Sequence, residues 1–171
     1  MLRKDIPYSI AQCLILWIIG GLVYMLIEIL YRGRTHWSMA VVGGLCFILI
    51  GALNEWEVTR HPYTVFELQA MIGAIITTVV EFISGIYINL VLGWDVWDYS
   101  DLPFNVLGQI CLPFTFAWVF IAAAAIILDD FLRHVLFMKP FPTYWFTTTR
   151  KCVNLFGLWE SHVCKHRHKP K

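Results

Sequence analysis

The chain has 171 residues, 58% of them hydrophobic and only 15% charged, with a mean hydropathy of +0.65 and a formal net charge of +1. An average soluble domain is about 45–50% apolar and about 25% charged, so an ordinary soluble fold is excluded, and the apolar surplus excludes disorder. The near-zero charge offers no broad basic surface for nucleic acid, and five cysteines, an odd number mostly inside apolar runs, do not make a disulfide framework.

Four stretches are long and apolar enough to predict membrane spans, for which about 17–25 residues are needed, the second at the short end and the third at the long end. They run from about Ser9 to Tyr31, Ser38 to Asn54, Val65 to Leu92 and Asn105 to Leu128. The first follows Arg3 and Lys4, as a signal peptide would. It is too long for an h-region, lacks a small-x-small cleavage site and leads straight into a second span, so it is expected to be a retained anchor. The fold expected is all-α: a polytopic integral membrane protein with four transmembrane helices at 1–139. A cytoplasmic segment follows at 140–171. There Cys152, Leu155, Phe156, Trp159 and Val163 recur at helical spacing, which predicts an interfacial amphipathic helix over 149–163. A basic tail suited to anionic lipid completes the chain.

Lysine and arginine set the expected orientation. They crowd the segment after Leu128 and are absent between Gly93 and Phe104, where Asp95, Asp98 and Asp101 stand instead. Both termini are therefore expected in the cytoplasm. Arg32 and Arg34 dissent, although Glu28 lies four residues before Arg32 and can neutralise it. After the fourth span, Asp129 and Arg133 stand at the same spacing, and Pro140 and Pro142 end the helix.

Acidic side chains at bilayer depth cost about 2.5–3.5 kcal/mol each on insertion scales and usually face a bundle interior. Glu81 lies near the middle of its span, while Glu28, Glu55 and Asp129 lie near span ends. Each span carries a stripe of small and polar residues of the kind that packs helices together. The faces that carry the stripes are Gly20, Gly21, Tyr24 and Glu28, then Gly44, Phe47, Gly51 and Asn54 beside Glu55. In the third span they are Ala74, Thr77, Thr78, Glu81, Ser84 and Gly85, and in the fourth Asn105, Gly108, Leu112, Thr115, Ala122 and Asp129. The stripes are expected to converge on one interior centred on Glu81, with Pro113 kinking the fourth helix. Plain helix-packing glue is the bland alternative.

The loop Gly93–Asn105 is the most unusual stretch. Trp94, Trp97 and Tyr99 suit the membrane interface, and Ser100 or Asp101 before Pro103 predicts a helix start there. A lid over an interior site, or a mouth that attracts cations, would account for the aspartates.

At Trp97-Asp98-Tyr99-Ser100, Pro103-Phe104-Asn105 and Gly108-Gln109-Ile110-Cys111-Leu112 the chain resembles the ABC-transporter type IV (CmpB-like) family of small bacterial membrane proteins, itself similar to the transmembrane protein 229 group. Arg32-Gly33-Arg34-Thr35-His36-Trp37-Ser38 and Asn54-Glu55 extend the likeness. The resemblance implies a multi-span protein of the bacterial plasma (inner) membrane, with Glu28, Glu55, Glu81 and the Trp97–Ser100 run at typical family positions. The candidate binding residues are Glu81, Glu28, Glu55, Asn54, Thr77, Thr78, Trp97, Asp98, Tyr99, Asn105 and Gln109.

No G-x-x-x-x-G-K-[ST], H-E-x-x-H, C-x-x-C or G-x-S-x-G occurs. Any ATPase is therefore expected on a separate chain. No cofactor is expected. The alternating His162, Cys164, His166 and His168 suit a solvated tail better than a metal site. The leading expectation is a transport-type protein or transporter subunit that acts as a homo-oligomer or within a larger complex in the bilayer. A non-transporting interaction or scaffold protein is the alternative. A lipid-directed enzyme using Asp98 or Glu81 stands third, for want of a nucleophile–base pair.

Overall fold

Backbone that no water can reach must satisfy its own hydrogen bonds, and apolar runs of this length do so as helices. The computed structural model describes residues 10–60, 64–139, 144–147 and 151–153. Helices α1 (Ile10–Arg32) and α2 (Trp37–Arg60) come first, followed by strand β1 (Thr64–Val65). Helix α3 (Phe66–Gly85) passes directly into a π-helical turn, Ile86–Val91. Helix α4 (Leu112–Phe137) and the short strands β2 (Tyr144–Phe146) and β3 (Lys151–Val153) complete the described chain.

Three helical stretches are long and apolar enough to cross a membrane: Ile10–Arg32, Phe66–Val91 and Leu112–Phe137. The expected second span is shorter, its apolar part being Trp37–Leu53, about 25 Å at 1.5 Å per residue against a core of about 30 Å. The large side chains that α3 and the π-helical turn direct outward are apolar, Met71, Ile75, Val79, Ile83 and Leu90 among them, as lipid-facing positions require.

The chain divides into two compact units, Met1–Ile48 and Leu49–Lys171. In the first, α1 and the start of α2 form an antiparallel pair at glycine contacts. A Cβ on Gly21 would sit 2.3 Å from the carbonyl oxygen of Ala40, and one on Gly43 would sit 2.2 Å from the Tyr24 Cβ. The backbones meet because no side chain intervenes. At the turn, Glu28 pairs with Arg32 and accepts a 2.5 Å hydrogen bond from Thr35 Oγ1, as the spacing predicts for Arg32. The imidazole Nδ1 of His36 accepts from the backbone N–H of Ser38 at 3.3 Å, capping α2.

In the second unit α3 and α4 form an antiparallel hairpin. Gly73 meets Ala122 toward one end, and Gly85 meets Gln109 at the other. Ile50, Ala122, Ile126 and Tyr144 form the apolar core, with Phe66, Ala125 and Phe146 packed against it.

Two sequence expectations fail here. The fourth helix starts at Leu112, not Asn105, with Cys111 as an extended N-cap and Pro113 in the first turn. Pro113 is thus a helix starter, its missing N–H costing nothing there, and kinks nothing. Asn105 and Gly108 leave the expected fourth stripe and lie in the preceding loop. The interfacial helix expected over 149–163 is contradicted at Lys151–Val153, a strand antiparallel to Tyr144–Phe146, which in turn runs parallel to β1. Aromatic and β-branched residues around 144–153 favour extended backbone. The rest of the expected tail, 154–171, lies outside the described residues.

Gly21→Ala should force α1 away from Ala40. The expected cost is about 1–3 kcal/mol, typical of overpacking, read as a lower melting temperature in detergent. An unchanged melting temperature would contradict the close approach.

Candidate functional site

Glu81 is 2% exposed, about four fifths of the way along α3, with Thr77 and Gly85 buried on the same face. Its carboxylate accepts a 2.7 Å hydrogen bond from the indole Nε1 of Trp118, itself 6% exposed, in the second turn of α4. This is a donor of the right kind: an indole N–H cannot accept and brings no charge of its own. The hydroxyls that share the stripe with Glu81 bond elsewhere. Thr77 Oγ1 donates to the carbonyl of Gly73 at 3.0 Å, Thr78 Oγ1 to that of Ala74 at 2.9 Å, and Ser84 Oγ to that of Val80 at 2.6 Å. Each side chain bonds back to its own helix, one turn earlier, as hydroxyls in apolar helices commonly do.

One turn beyond Glu81 the hairpin is closed by the loop 92–111. The π-helical turn leaves Asn89 buried, and Asn89 ties the loop in three ways. Its Nδ2 donates to the carbonyl of Trp97 at 2.9 Å and to Gln109 Oε1 at 2.8 Å, while its Oδ1 accepts from the Val96 N–H at 2.8 Å. Trp97, 2% exposed, donates its indole N–H to the Gln109 carbonyl at 3.0 Å. Trp97 and Gln109 both rest on Gly85, where a Cβ would come within 3.0 Å of either.

The outer half of the loop is braced by Asp98. Its Oδ1 accepts from the Ser100 hydroxyl at 2.6 Å and from the Ser100 N–H at 2.8 Å. Asn105 Nδ2 donates to the carbonyls of Ser100 and Leu102, and Tyr99 stacks on Phe114 of α4 with centroids 4.7 Å apart. Asp95, Phe104 and Leu107 hold φ between 46° and 55°, conformations that cost a non-glycine residue about 1–2 kcal/mol. The sequence therefore closes one end of the hairpin with a fixed lid. Trp97 belongs to its core and is no interfacial anchor, being almost fully buried, whereas Trp94 is exposed.

At the opposite end Glu55 joins a separate network. Arg133, 1% exposed, donates from Nε to Asp129 Oδ2 at 2.5 Å and stands 3.8 Å from Glu55 Oε1. Lys139 Nζ donates to Glu55 Oε2 at 2.8 Å. Met138, at φ 55°, reverses the chain so that the N–H groups of Met138 and Lys139 bond the carbonyls of His134 and Arg133, a left-handed helix cap. That reversal brings Lys139 back to α2. Tyr144 donates its hydroxyl to Asp130. Burial, then the neighbouring carboxylate of Asp130, push the phenol far above its ordinary range, so it remains a donor at physiological pH.

The candidate residues thus fall into separate groups. Glu81 meets Trp118. Trp97, Asp98, Tyr99, Asn105 and Gln109 build the lid. Glu55 belongs to the Arg133 network, and Glu28 stays with Arg32 and Thr35 in the first unit. The side chain of Asn54 lies outside the described residues. Trp118, Asn89, Lys139 and Tyr144 are added by the structure. Asn89, a lone amide in an apolar run, is the one whose burial a polar-residue scan of the third span would flag.

A family model described as Putative ABC-transporter type IV matches residues 8–157, covering both helical units and the lid. The chain belongs to the ABC-transporter type IV family. No curated protein and no solved structure matches it. Within this family member, the stretch Trp97–Leu112 that carries the likeness is the segment that folds into the lid and starts α4.

The Ser100 hydroxyl and N–H hold the Asp98 carboxyl below the ordinary aspartate value of 3.8. A carboxyl so depressed stabilises the lid at pH above its unfolded value, and the contribution is lost as pH falls through the folded one. Amide protection at Ser100 should therefore be constant near neutrality and collapse only below about pH 4. Asp98→Asn should weaken it at all pH and remove the dependence. A lid that opens between pH 5 and 7 would contradict this assignment.

Proposed function

We propose that this protein is a transport-type membrane subunit whose interior polar site is the Glu81–Trp118 pair beneath the lid. The observation that carries the reading is a buried carboxylate at mid-hairpin held by an indole from the facing helix. Intramembrane acids of this kind commonly mark substrate, ion or proton pathways. The family's name supports a connection to ABC-type transport. With no phosphate-binding loop in the sequence, energy from ATP would have to come from a separate chain. The subunit would act as a homo-oligomer or in a larger complex in the bacterial plasma membrane. We place four spans there, α2 crossing with local thinning, both termini in the cytoplasm and the lid outside. No catalytic role is assigned: Asp98, the loop's best-placed acid, is occupied in bracing Ser100.

A non-transporting scaffold is the second reading. The back-bonded hydroxyls of Thr77, Thr78 and Ser84 favour it, since they leave the stripe around Glu81 packed without donors aimed into a pathway.

Glu81→Gln separates the two, because glutamine keeps size and hydrogen bonding but cannot ionise. For the transport subunit, the variant should melt within a few degrees of wild type yet fail to complement the growth phenotype of a deletion strain. Trp118→Phe should lower stability by about 1–3 kcal/mol by stripping a buried acceptor of its donor, and should also impair complementation. A stable, fully complementing Glu81→Gln variant leaves only the scaffold. Purification from native membranes in mild detergent, with mass spectrometry, should recover an ATPase chain with the transport subunit.

Orientation is checked separately. With the native cysteines replaced by serine, an Asp101→Cys variant should react with a membrane-impermeant thiol reagent added outside intact spheroplasts. Reaction only after the cytoplasmic side is opened would invert the topology.

A further inference from the structure

The lid has two unlike halves. Asp95, Asp98 and Asp101 stand in the first, all of them exposed. From Leu102 to Leu128 no Asp, Glu, Lys, Arg or His occurs. Early in that stretch, before α4 begins, the turn Phe104–Leu107 directs large apolar side chains outward: Phe104 is 80% exposed, Leu107 64% and Val106 46%. Phe104 and Leu107 both hold left-handed backbone, at φ 55° and 53°, where a turn facing water ordinarily places glycine, asparagine or aspartate. Leu112, Phe116 and Phe120 follow at four-residue spacing and are exposed as well. They form one face of a helix apolar enough to cross a membrane. The β-bridge between Val106 and Ile110 folds the turn back toward the start of that helix, so the apolar surface of the turn leads into the lipid-facing side of α4.

The backbone of the turn points the same way. Irregular chain is tolerated at membrane depth only where its polar groups find partners within the protein. Six consecutive carbonyls do so here. That of Val106 accepts from the Gln109 N–H at 3.0 Å, that of Leu107 from Gln109 Nε2 at 2.9 Å and that of Gly108 from the Tyr99 N–H at 2.7 Å. The Gln109 carbonyl accepts from the Trp97 indole at 3.0 Å and the Ile110 carbonyl from the Val106 N–H at 2.9 Å. The Cys111 carbonyl accepts from the Thr115 N–H at 3.0 Å and its hydroxyl at 3.1 Å. In water, solvent would serve the same groups. A turn that satisfies them internally while turning its apolar side chains outward is built for surroundings without water.

We propose that the turn Phe104–Leu107 is a lipid-inserted element. Its apolar side chains enter the leaflet on the lid's side of the membrane, while Asp95, Asp98 and Asp101 stay in water. The lid is then held from two directions, by Asn89 within the protein and by the bilayer outside it. The inference is independent of what Glu81 does and of which side of the membrane the lid faces.

Electron paramagnetic resonance on the full chain, in liposomes of phosphatidylethanolamine and phosphatidylglycerol, tests it. With the native cysteines replaced by serine, a nitroxide is attached singly at Leu107→Cys, Asp101→Cys or Phe116→Cys. Its relaxation is read with oxygen, which concentrates in lipid, and with a water-soluble nickel chelate. The Leu107 label should match the Phe116 label, relaxed several-fold more by oxygen than by the chelate, and the Asp101 label should show the reverse. A Leu107 label reached by the chelate places the turn in water and overturns the proposal. A label shielded from both reagents places it in a protein contact, such as a second copy of this chain, and overturns it equally. A second measurement keeps the native cysteines, so it stands even if the substituted chain does not fold. A phospholipid with a photoreactive diazirine in its acyl chain should leave adducts between Phe104 and Leu107. Adducts on α4 with none on the turn overturn the proposal.

Discussion

A polar side chain inside lipid has no water to fall back on, so its partner must come from the protein, and the partner's position then fixes the helices that carry it. This constraint organises the second unit from end to end. Glu81 can be buried at mid-hairpin because Trp118 reaches it from α4. Asn89 can be buried at the lid because Trp97, Val96 and Gln109 present backbone and amide groups to it. Arg133 can be buried at the other end because Asp129 and Glu55 flank it. Apolar packing between α3 and α4 is permissive in lipid, where tails are as apolar as leucine. The polar bonds supply the register that packing alone would leave open.

The two ends solve different problems with the same means. At the lid, neutral amides and indoles make short, directional bonds, and three residues hold left-handed backbone to reach them. The result is a preformed loop, costly in conformation and fixed in geometry. At the other end, charges do the joining. Charged networks change when a proton arrives or leaves, whereas amide networks do not. One end of the hairpin is therefore joined mainly by neutral groups and the other mainly by charged ones.

Much of this is legible in the sequence where interactions are local. The positions of α1, α3 and the body of α4 follow from apolar length, and the Glu28–Arg32 and Asp129–Arg133 pairs follow from helical spacing. The buried face of α3 follows from its small and polar stripe. What stays hidden spans long separations or short elements. Nothing in periodicity links Glu81 to Trp118, 37 residues on, or Glu55 to Lys139, 84 residues on. Pro113 reads equally as a kink or a start until the loop before it is seen. Strands of two or three residues are too short for alternation to register, so Lys151–Val153 falls by sequence into a helical pattern that it does not follow. The polar stripes point the acids toward one interior. Within the second unit the structure parts Glu81, held by Trp118, from Glu55 and Asp129, which lie at the Arg133 end.

The π-helical turn at Ile86–Val91 ties the length of the chain to the position of the lid. A π-turn holds one residue more than the α-helix it interrupts. A single-residue deletion in the α-helical part of α3, with the π-turn kept, would rotate everything beyond it by about 100°. Asn89 would then leave the face that meets Trp97 and Gln109, and the lid would lose its anchor without any change in hydropathy. Insertions and deletions in this stretch are thus constrained by phase and not by composition. Relatives that keep the Trp-Asp-Tyr-Ser run should keep the spacing between it and the acid of the third helix to the residue.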